Sequence, residues 1–413
     1  TVQTWLAQLA TDVLSHSLGT KVSIERVEIS FFNKADLVNF YMEDKRSDTL
    51  IYARELKIEF KVFDLFNRQV NVSRIFLDKG TLHLYRDSSG KLLNLTEVFK
   101  NFATNKRTTD TTAKKFNWDL NLQELQMRQT DFSYQDDKSH TVANVFVPSL
   151  LLKLENISIQ KKLLVVHSLK IDSADVQLDL LKREKSPEDD SLLVVHFLPD
   201  SFKITFDEFA LTHSRFRIND HNRDTILPTG MDFKHLDVSQ INLIATNGSA
   251  VADTVLAHVE QLTAKEKSGF ELEETNAEAR FSVNEITFSK LQMKTANSTI
   301  KNYLSLRYRV FHDFKDFSNA VRLRANFDGT TISLKDINYF VRNLDKVQHN
   351  KVALNGEIDG RINCLKGRGL ELRTGQNTIF KGDFYTHGLP NIFETSLNIH
   401  VGRLATTADD VRR

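Results

Sequence analysis

The sequence predicts a mainly β protein built from many strands, and three observations predict it. First, a spaced apolar pattern, h-x-h-x-x-h-x-h with h apolar, recurs along the chain. Clean copies, polar at every x, stand at Val22/Ile24/Val27/Ile29, Leu120/Leu122/Leu125/Met127 and Leu152/Leu154/Ile157/Ile159. Two more are Leu236/Val238/Ile241/Leu243 and Phe281/Val283/Ile286/Phe288, and looser copies start at Ile51, Val70, Leu164 and Ile204. With 40% apolar residues in 413 positions, about one clean copy is expected by chance. Second, several copies continue in alternation further on, at Leu82/Leu84, Phe132/Tyr134, Val176/Leu178 and Phe216/Ile218. Such alternation gives a strand one wet and one dry side. Third, Phe is frequent at 29 while Pro (5) and Gly (15) are scarce, which suits long paired strands better than loops.

The elements follow in order. Residues 1–18 carry a helical stripe of Val2, Trp5, Leu6, Leu9, Ala10, Val13 and Leu14, with Gly19 as its C-terminal cap. This amphipathic helix reads either as a plug for the open end of the β structure or as the continuation of a membrane anchor. Strands are predicted at 21–30, 51–61 and 70–77, with Asp78-Lys-Gly80 turning into a strand at 81–85. Asp87-Ser-Ser-Gly90 is a turn cluster, and a short helix follows, capped by Asn94 with Leu95, Val98, Phe99 and Phe102 on one side. Residues 104–115 are polar, Thr-rich and without period, so they read as a linker; 184–191 reads as a loop. From 116 to about 291 the chain is almost wholly strands at irregular intervals, which argues against a strict propeller or leucine-rich repeat. Short helical turns are predicted near 313–319 and 333–340, the second capped by Ser333. Strands return at Val352/Leu354, Leu370/Leu372 and Leu397/Ile399/Val401.

Composition excludes more than it identifies. The 55 basic and 54 acidic residues nearly cancel, so no nucleic-acid partner is signalled. The densest basic stretch (Lys106, Arg107, Lys114, Lys115) falls in the linker. Cys364 is the one cysteine, so a disulfide scaffold within the chain is excluded. The sequence opens on Thr1, and a longer parent protein is the expectation. No run of eighteen apolar residues occurs, so neither a transmembrane span nor a signal peptide is predicted within these residues.

The sequence carries none of the common catalytic signatures: no H-E-x-x-H, G-x-x-x-x-G-K-[ST], G-x-S-x-G or G-x-G-x-x-G. Lys366-Gly-Arg-Gly369 has two glycines of a dinucleotide turn and lacks the third. The run from His213 to Asp224 holds two His and two Asp. The pattern places Phe216 and Ile218 on the dry side there and Asp220 to Asp224 in an exposed hairpin end, so no metal is predicted. No enzyme activity and no cofactor are expected.

Three stretches resemble the N-terminal region of TamB-type proteins of the AsmA-like superfamily, in the form found in Bacteroidota. They are Leu18-Gly-Thr-Lys-Val-Ser-Ile24 with Ser30-Phe-Phe32; Asp48-Thr-Leu-Ile-Tyr-Ala-Arg-Glu-Leu56 running to Leu84-Tyr-Arg-Asp87; and Ile332-Ser-Leu-Lys-Asp-Ile-Asn-Tyr-Phe340 with Val352-Ala-Leu-Asn-Gly356 and Gly382-Asp-Phe-Tyr-Thr-His-Gly-Leu-Pro390. The resemblance implies the inner-membrane component of a translocation and assembly module, similar in build to chorein-type lipid carriers. Its fold would be an elongated, twisted β-sheet curved into a groove (a β-taco). The N-terminal helix (1–18) would lead into an AsmA-like β module (19–103), the linker (104–115) and an extended β-groove region (116–413). The implied setting is the periplasm of a Gram-negative bacterium, with an inner-membrane anchor outside these residues. Phospholipid and a TamA-like outer-membrane barrel are the implied partners.

A lipid groove has a simple physical requirement. Exposing acyl methylenes to water costs about 0.8 kcal/mol each, roughly 12 kcal/mol for a sixteen-carbon tail. Stacked strands, each offering two or three apolar side chains to one side, meet that cost while the headgroup stays in water. The expected lining is Val70, Val72, Ile75, Leu77, Leu120, Leu122, Leu125, Leu164, Val166, Phe206 and Phe209. The x-x step would otherwise flip the pleat, so a bulge or bend is expected there. The competing reading is a scaffold or chaperone that binds nascent outer-membrane strands by edge pairing. A hydrolase on a β scaffold would need converging groups that the sequence does not show.

Overall fold

The structure is a computed structural model. It describes residues 8, 11–12, 14–16, 18–30, 33–60, 69–89, 93–103, 117–119, 121–158, 161–182, 202–222, 226–227, 229–340, 350–389 and 391–412. It is mainly β. The chain forms two units, residues 1–183 with 210–222, and residues 184–209 with 223–413.

The first unit holds β1 (Val22–Ser23), β2 (Arg26–Ser30), β3 (Lys34–Glu43), β4 (Thr49–Phe60), β5 (Gln69–Arg86), β6 (Asn117–Asp119), β7 (Glu124–Asp136), β8 (Thr141–Ser158), β9 (Leu163–Asp172) and β10 (Asp175–Leu180). Of β11 (Lys203–Asp220), residues from 210 onward belong here and the earlier ones to the second unit. β1 and β2 pair antiparallel with β3, which leads through β4 to β5. β5 runs parallel to β7, and β7, β8 and β9 continue antiparallel. β10 lies antiparallel to β8 and parallel to β11.

The second unit is a meander of antiparallel neighbours. Its strands are β12 (Asp237–Val251), β13 (Thr254–Glu266), β14 (Glu271–Ser282), β15 (Glu285–Thr295), β16 (Thr299–Arg307), β17 (Arg322–Ser333), β18 (Lys351–Arg361), β19 (Cys364–Thr374), β20 (Thr378–His387) and β21 (Ser396–Ala405).

A slip of one residue keeps the apolar positions of these long strands on one side. Regular alternation would turn the second pair of each pattern copy to the wrong face. In eight strands a residue in the left-handed region sits at the second x of an x-x step: Asn39, Lys79, Gln129, His213, Asn247, Lys290, Gly329 and Gly369. Their φ values lie between 49° and 63°. The ladder shifts register beside four of them, between Thr246 and Ser249, Phe288 and Leu291, Phe327 and Thr330, and Gly367 and Leu370. Gly80 shows the result directly. A Cβ there would lie 2.1 Å from Leu77 Cδ2, so positions 77 and 80, three apart, face the same way. β8 makes its slip at Leu154–Asn156 without a left-handed residue. Pro148, in the middle of β8, stands opposite Gln129, where the pairing skips from Arg128↔Ser149 to Thr130↔Val147.

Several expectations change in detail. The copy at Phe281/Val283/Ile286/Phe288 spans a hairpin turn rather than one strand; Phe281 and Ile286 are cross-strand partners. Asp78-Lys-Gly80 makes no turn, because the left-handed Lys79 redirects β5 and the strand runs on to Arg86. Phe216 and Ile218 lie on β11, parallel to β10, and Asp220, expected in an exposed hairpin end, is the buried last residue of that strand. β3 escaped prediction, since apolar residues occupy two x positions of its copy Ala35/Leu37/Phe40/Met42. The expected helix is Asn94–Ala103, with Asn94 accepting from Leu95 N at 2.9 Å and donating to Asp44 at 3.1 Å. The turn after Ser333 is capped by that side chain. Residues 104–115 and 184–191 lie outside the described residues.

Carboxylates fasten the strand ends. Asp44 accepts from Arg46 N and Asp48 N, Asp232 from Leu227 N and Lys234 N, and Asp410 from Gln376 N and Asn377 N. Asp136 is the most buried, at 1% exposure. It takes hydrogen bonds from Lys138 N, Ser139 N, Tyr134 and Arg86. Burial pushes its carboxyl up, but the bonds from Arg86, Ser139 and Tyr134 outweigh this and hold it at about 2.

Two outcomes follow. The depressed Asp136 contributes stability that is present above the unfolded carboxyl's range and lost as pH falls towards about 2, worth about 2 kcal/mol. Denaturant melts of Asp136→Asn between pH 5 and pH 2 should therefore lose less stability than wild type. For Lys290, held at φ 51°, Lys290→Asn should gain about 0.5–1 kcal/mol and Lys290→Val should lose about 1–2 kcal/mol. Equal melting of the three proteins would contradict the slip.

Candidate functional site

The register lines up the apolar positions of the first unit into rows crossing its sheet. One row reads Ala35–Ile58–Ile75–Leu125–Leu152–Leu169, and the next Leu37–Leu56–Leu77–Met127–Leu150–Ile171. Beyond the slip a third runs Met42–Ile51–Leu82–Phe132–Val145–Val176–Phe216. None of these rows contains an acid, a base or a nucleophile. Charges sit at the alternate positions, as in the cross-strand pairs Lys34–Glu59 and Arg74–Glu59. Such exposed pairs add at most about 1 kcal/mol and mark the wet side.

Burial peaks along the slip. Phe40, Ala53, Gly80, Thr130 and Val147, neighbours across β3, β4, β5, β7 and β8, are all buried, and the rows on either side are largely half-buried. At β1 to β5 the apolar side is filled from within the chain. Leu18, Val98, Leu14 and Leu95 pack there with Leu37, Met42, Leu50 and Ala53. Leu14 is helical, and most of the expected helix 1–18 lies outside the described residues.

The residues expected to line a groove fall as follows. Ile75 and Leu125 are direct partners in the first row, and Leu77 lies in the second. Val72 and Val166 are buried, and Leu164 and Val166 pair with Ile157 and Leu154. Leu122 is half-buried, just before β7. Leu120 and the side chain of Val70 lie outside the described residues. Phe206 and Phe209 belong to the second unit, where their rings meet edge to face at 6.4 Å. Phe206 lies over Gly248: a Cβ on that glycine would come within 1.8 Å of the ring.

The second unit repeats the arrangement. Ala245–Val259–Ala277 are cross-strand partners and are buried. So are Leu291, Phe327, Leu354 and Leu370 near the slips of β15 and β17–β19. Ile300, Leu304, Ile332, Ile358, Leu372, Phe380 and Phe384 pack around the last of these. On the other side Glu285 joins Arg280 and Arg307, and Arg322 joins Asp359. Arg307 and other hydrogen-bond donors hold Glu285 below the usual carboxylate range, outweighing its burial. Sequence reasoning missed the apolar side of β16–β20 as a site, although Val352/Leu354 and Leu370/Leu372 signal its strands.

His213 and His221 do not converge. His213 Nδ1 lies 2.7 Å from Asp172, and His221 Nε2 lies 3.0 Å from Asp179. In each unit, then, apolar rows cross the strands on one side and charged pairs stand on the reverse.

The close approach of Phe206 to position 248 gives a packing test. Gly248→Ala should cost about 1–3 kcal/mol by overpacking, and adding Phe206→Ala should recover much of that loss in a double-mutant cycle read by thermal melts. No protein-family model matches the chain, and no curated protein matches it.

Proposed function

We propose that this chain is the periplasmic, bridge-like part of a translocation and assembly module, and that it conducts phospholipid acyl chains along a hydrophobic β-groove towards the outer membrane. The observation that carries the reading is the apolar line beside the slips. In each unit it passes from strand to strand along one side. Bulges bend strands and increase their twist. Bulges aligned on successive strands would bend the sheet about one line and make its apolar side the lining of a groove. An acyl tail laid there recovers most of the roughly 12 kcal/mol that water would charge it, and the headgroup needs no dedicated pocket. On the resemblance read from the sequence, the setting would be the periplasm, with an inner-membrane anchor outside these residues and a TamA-like barrel as outer partner.

One observation favours the second reading, a scaffold for outer-membrane protein assembly. Among the described residues β21 pairs with β20 alone, and its Leu397, Ile399, Val401 and Leu404 are exposed. A strand edge of this kind can add a strand from another chain.

Protein purified without detergent should carry phospholipid, measured by mass spectrometry of an organic extract. The double variant Leu122→Asp/Leu125→Asp should carry several-fold less while keeping its β circular dichroism. Unchanged lipid content would sink the groove reading. Crosslinking to unfolded barrel proteins with no bound lipid would establish the scaffold instead.

A further inference from the structure

A chain of aromatic rings crosses the apolar side of the second unit. At one end stands Tyr308, two residues after Leu306, whose partners Ile286 and Leu323 are apolar. Alternation therefore puts Tyr308 on the apolar side. Its hydroxyl donates to Ser282 O, which fixes the ring at the β14–β15 turn. Tyr308 meets Phe314 at 4.8 Å, and Phe314 meets Phe317 at 6.1 Å. Both phenylalanines lie in the helical stretch before β17. Asn363 N donates to Ser318 O, holding that stretch to the same end of the sheet.

The other end is built from Phe270, two residues before Leu272 at the start of β14, and from the segment after β17. There Tyr339 and Phe340 meet Phe270 edge to face at 5.7 and 5.3 Å. Asp336 clamps this segment to the β15–β16 turn through Asn297 and the hydroxyls of Thr295 and Ser298.

Phe233 joins the two ends. Its ring stacks on Phe317 at 6.2 Å with 10° between the planes, and on Phe340 at 6.4 Å. Its backbone is held at one end: Met231 N donates to Tyr339 O, and Asp232 accepts from Leu227 N and Lys234 N. Towards Phe317 the contact is between ring faces. Phe233 is 39% and Phe340 47% exposed, high for stacked rings. β17, twelve residues long, runs between the segment that carries Phe317 and the segment that carries Phe340.

We propose that this arch is a gate over the acyl path, with Phe233 as the moving ring. The inference rests on the groove reading. A tail passing β14–β17 would run between the sheet and the rings, and parting the Phe233–Phe317 stack would open the path from above. A face-to-face aromatic pair adds little beyond its burial, so the stack can part in thermal motion.

The test uses transfer of a fluorescent phosphatidylethanolamine between donor and acceptor vesicles of phosphatidylethanolamine and phosphatidylglycerol, with co-purified lipid measured in parallel. Phe233→Ala should raise the transfer rate at least threefold and lower the retained lipid; Phe233→Trp should do the reverse. Phe317→Ala should match Phe233→Ala, and the double variant should add nothing, because both remove one contact. Wild-type rates in all variants, with lipid still bound, would overturn the gate and leave the groove standing. Wild-type protein that neither carries nor transfers lipid would overturn both. If Phe233→Ala melts out, Phe317→Ala and Phe233→Trp decide the question.

Discussion

The alternation of a strand is the constraint that everything else answers to. A long strand that must stay apolar on one side while bending cannot keep strict period two; it has to lose or gain one residue. Placing Lys, Gln or His in the left-handed region costs about 1–2 kcal/mol. Turning two or three apolar side chains per strand to water would cost about 1.5–3 kcal/mol each. The second cost is larger, so strain at Lys79, Gln129, His213 and Lys290 is the cheaper arrangement. The slips at Asn39, Asn247, Gly329 and Gly369 use residues that reach this region with little penalty.

Much of the fold was legible because the slip leaves its mark in the sequence. The three-residue step in Leu236/Val238/Ile241/Leu243 is the left-handed Gln240, and the step in Leu152/Leu154/Ile157 is the bulge of β8. Where the pattern misled, the residues had two readings. Asp78-Lys-Gly80 carries the letters of a turn, and only its neighbours β4 and β7 keep the chain extended. Asn284 stands at an x-x step like any other and yet closes a hairpin. Copies such as that of β3 were hidden by apolar residues on the wet side.

The site was less legible than the fold. Single residues such as Ile75 and Leu125 could be named, but not that they face each other across β5 and β7, a parallel pair joined by a long connection. The filling of the apolar side at β1–β5 by Leu18 and Val98 depends on tertiary packing and has no local signal. The ring arch combines Phe233, Phe317 and Phe340 from segments far apart in the chain. Among many phenylalanines, nothing in their spacing sets these three apart.

Asp410 carries a consequence of its own. Its carboxylate gathers Gln376 N, Asn377 N and Thr378 Oγ1 and leaves no room for a side chain at Gly375, φ 60°. A turn latched from 32 to 34 residues downstream cannot reach its final form until β20 and β21 have emerged and folded. Closure of the β19–β20 hairpin is thereby tied to the direction of synthesis, and the growing end of the sheet stays unlatched until its successor arrives.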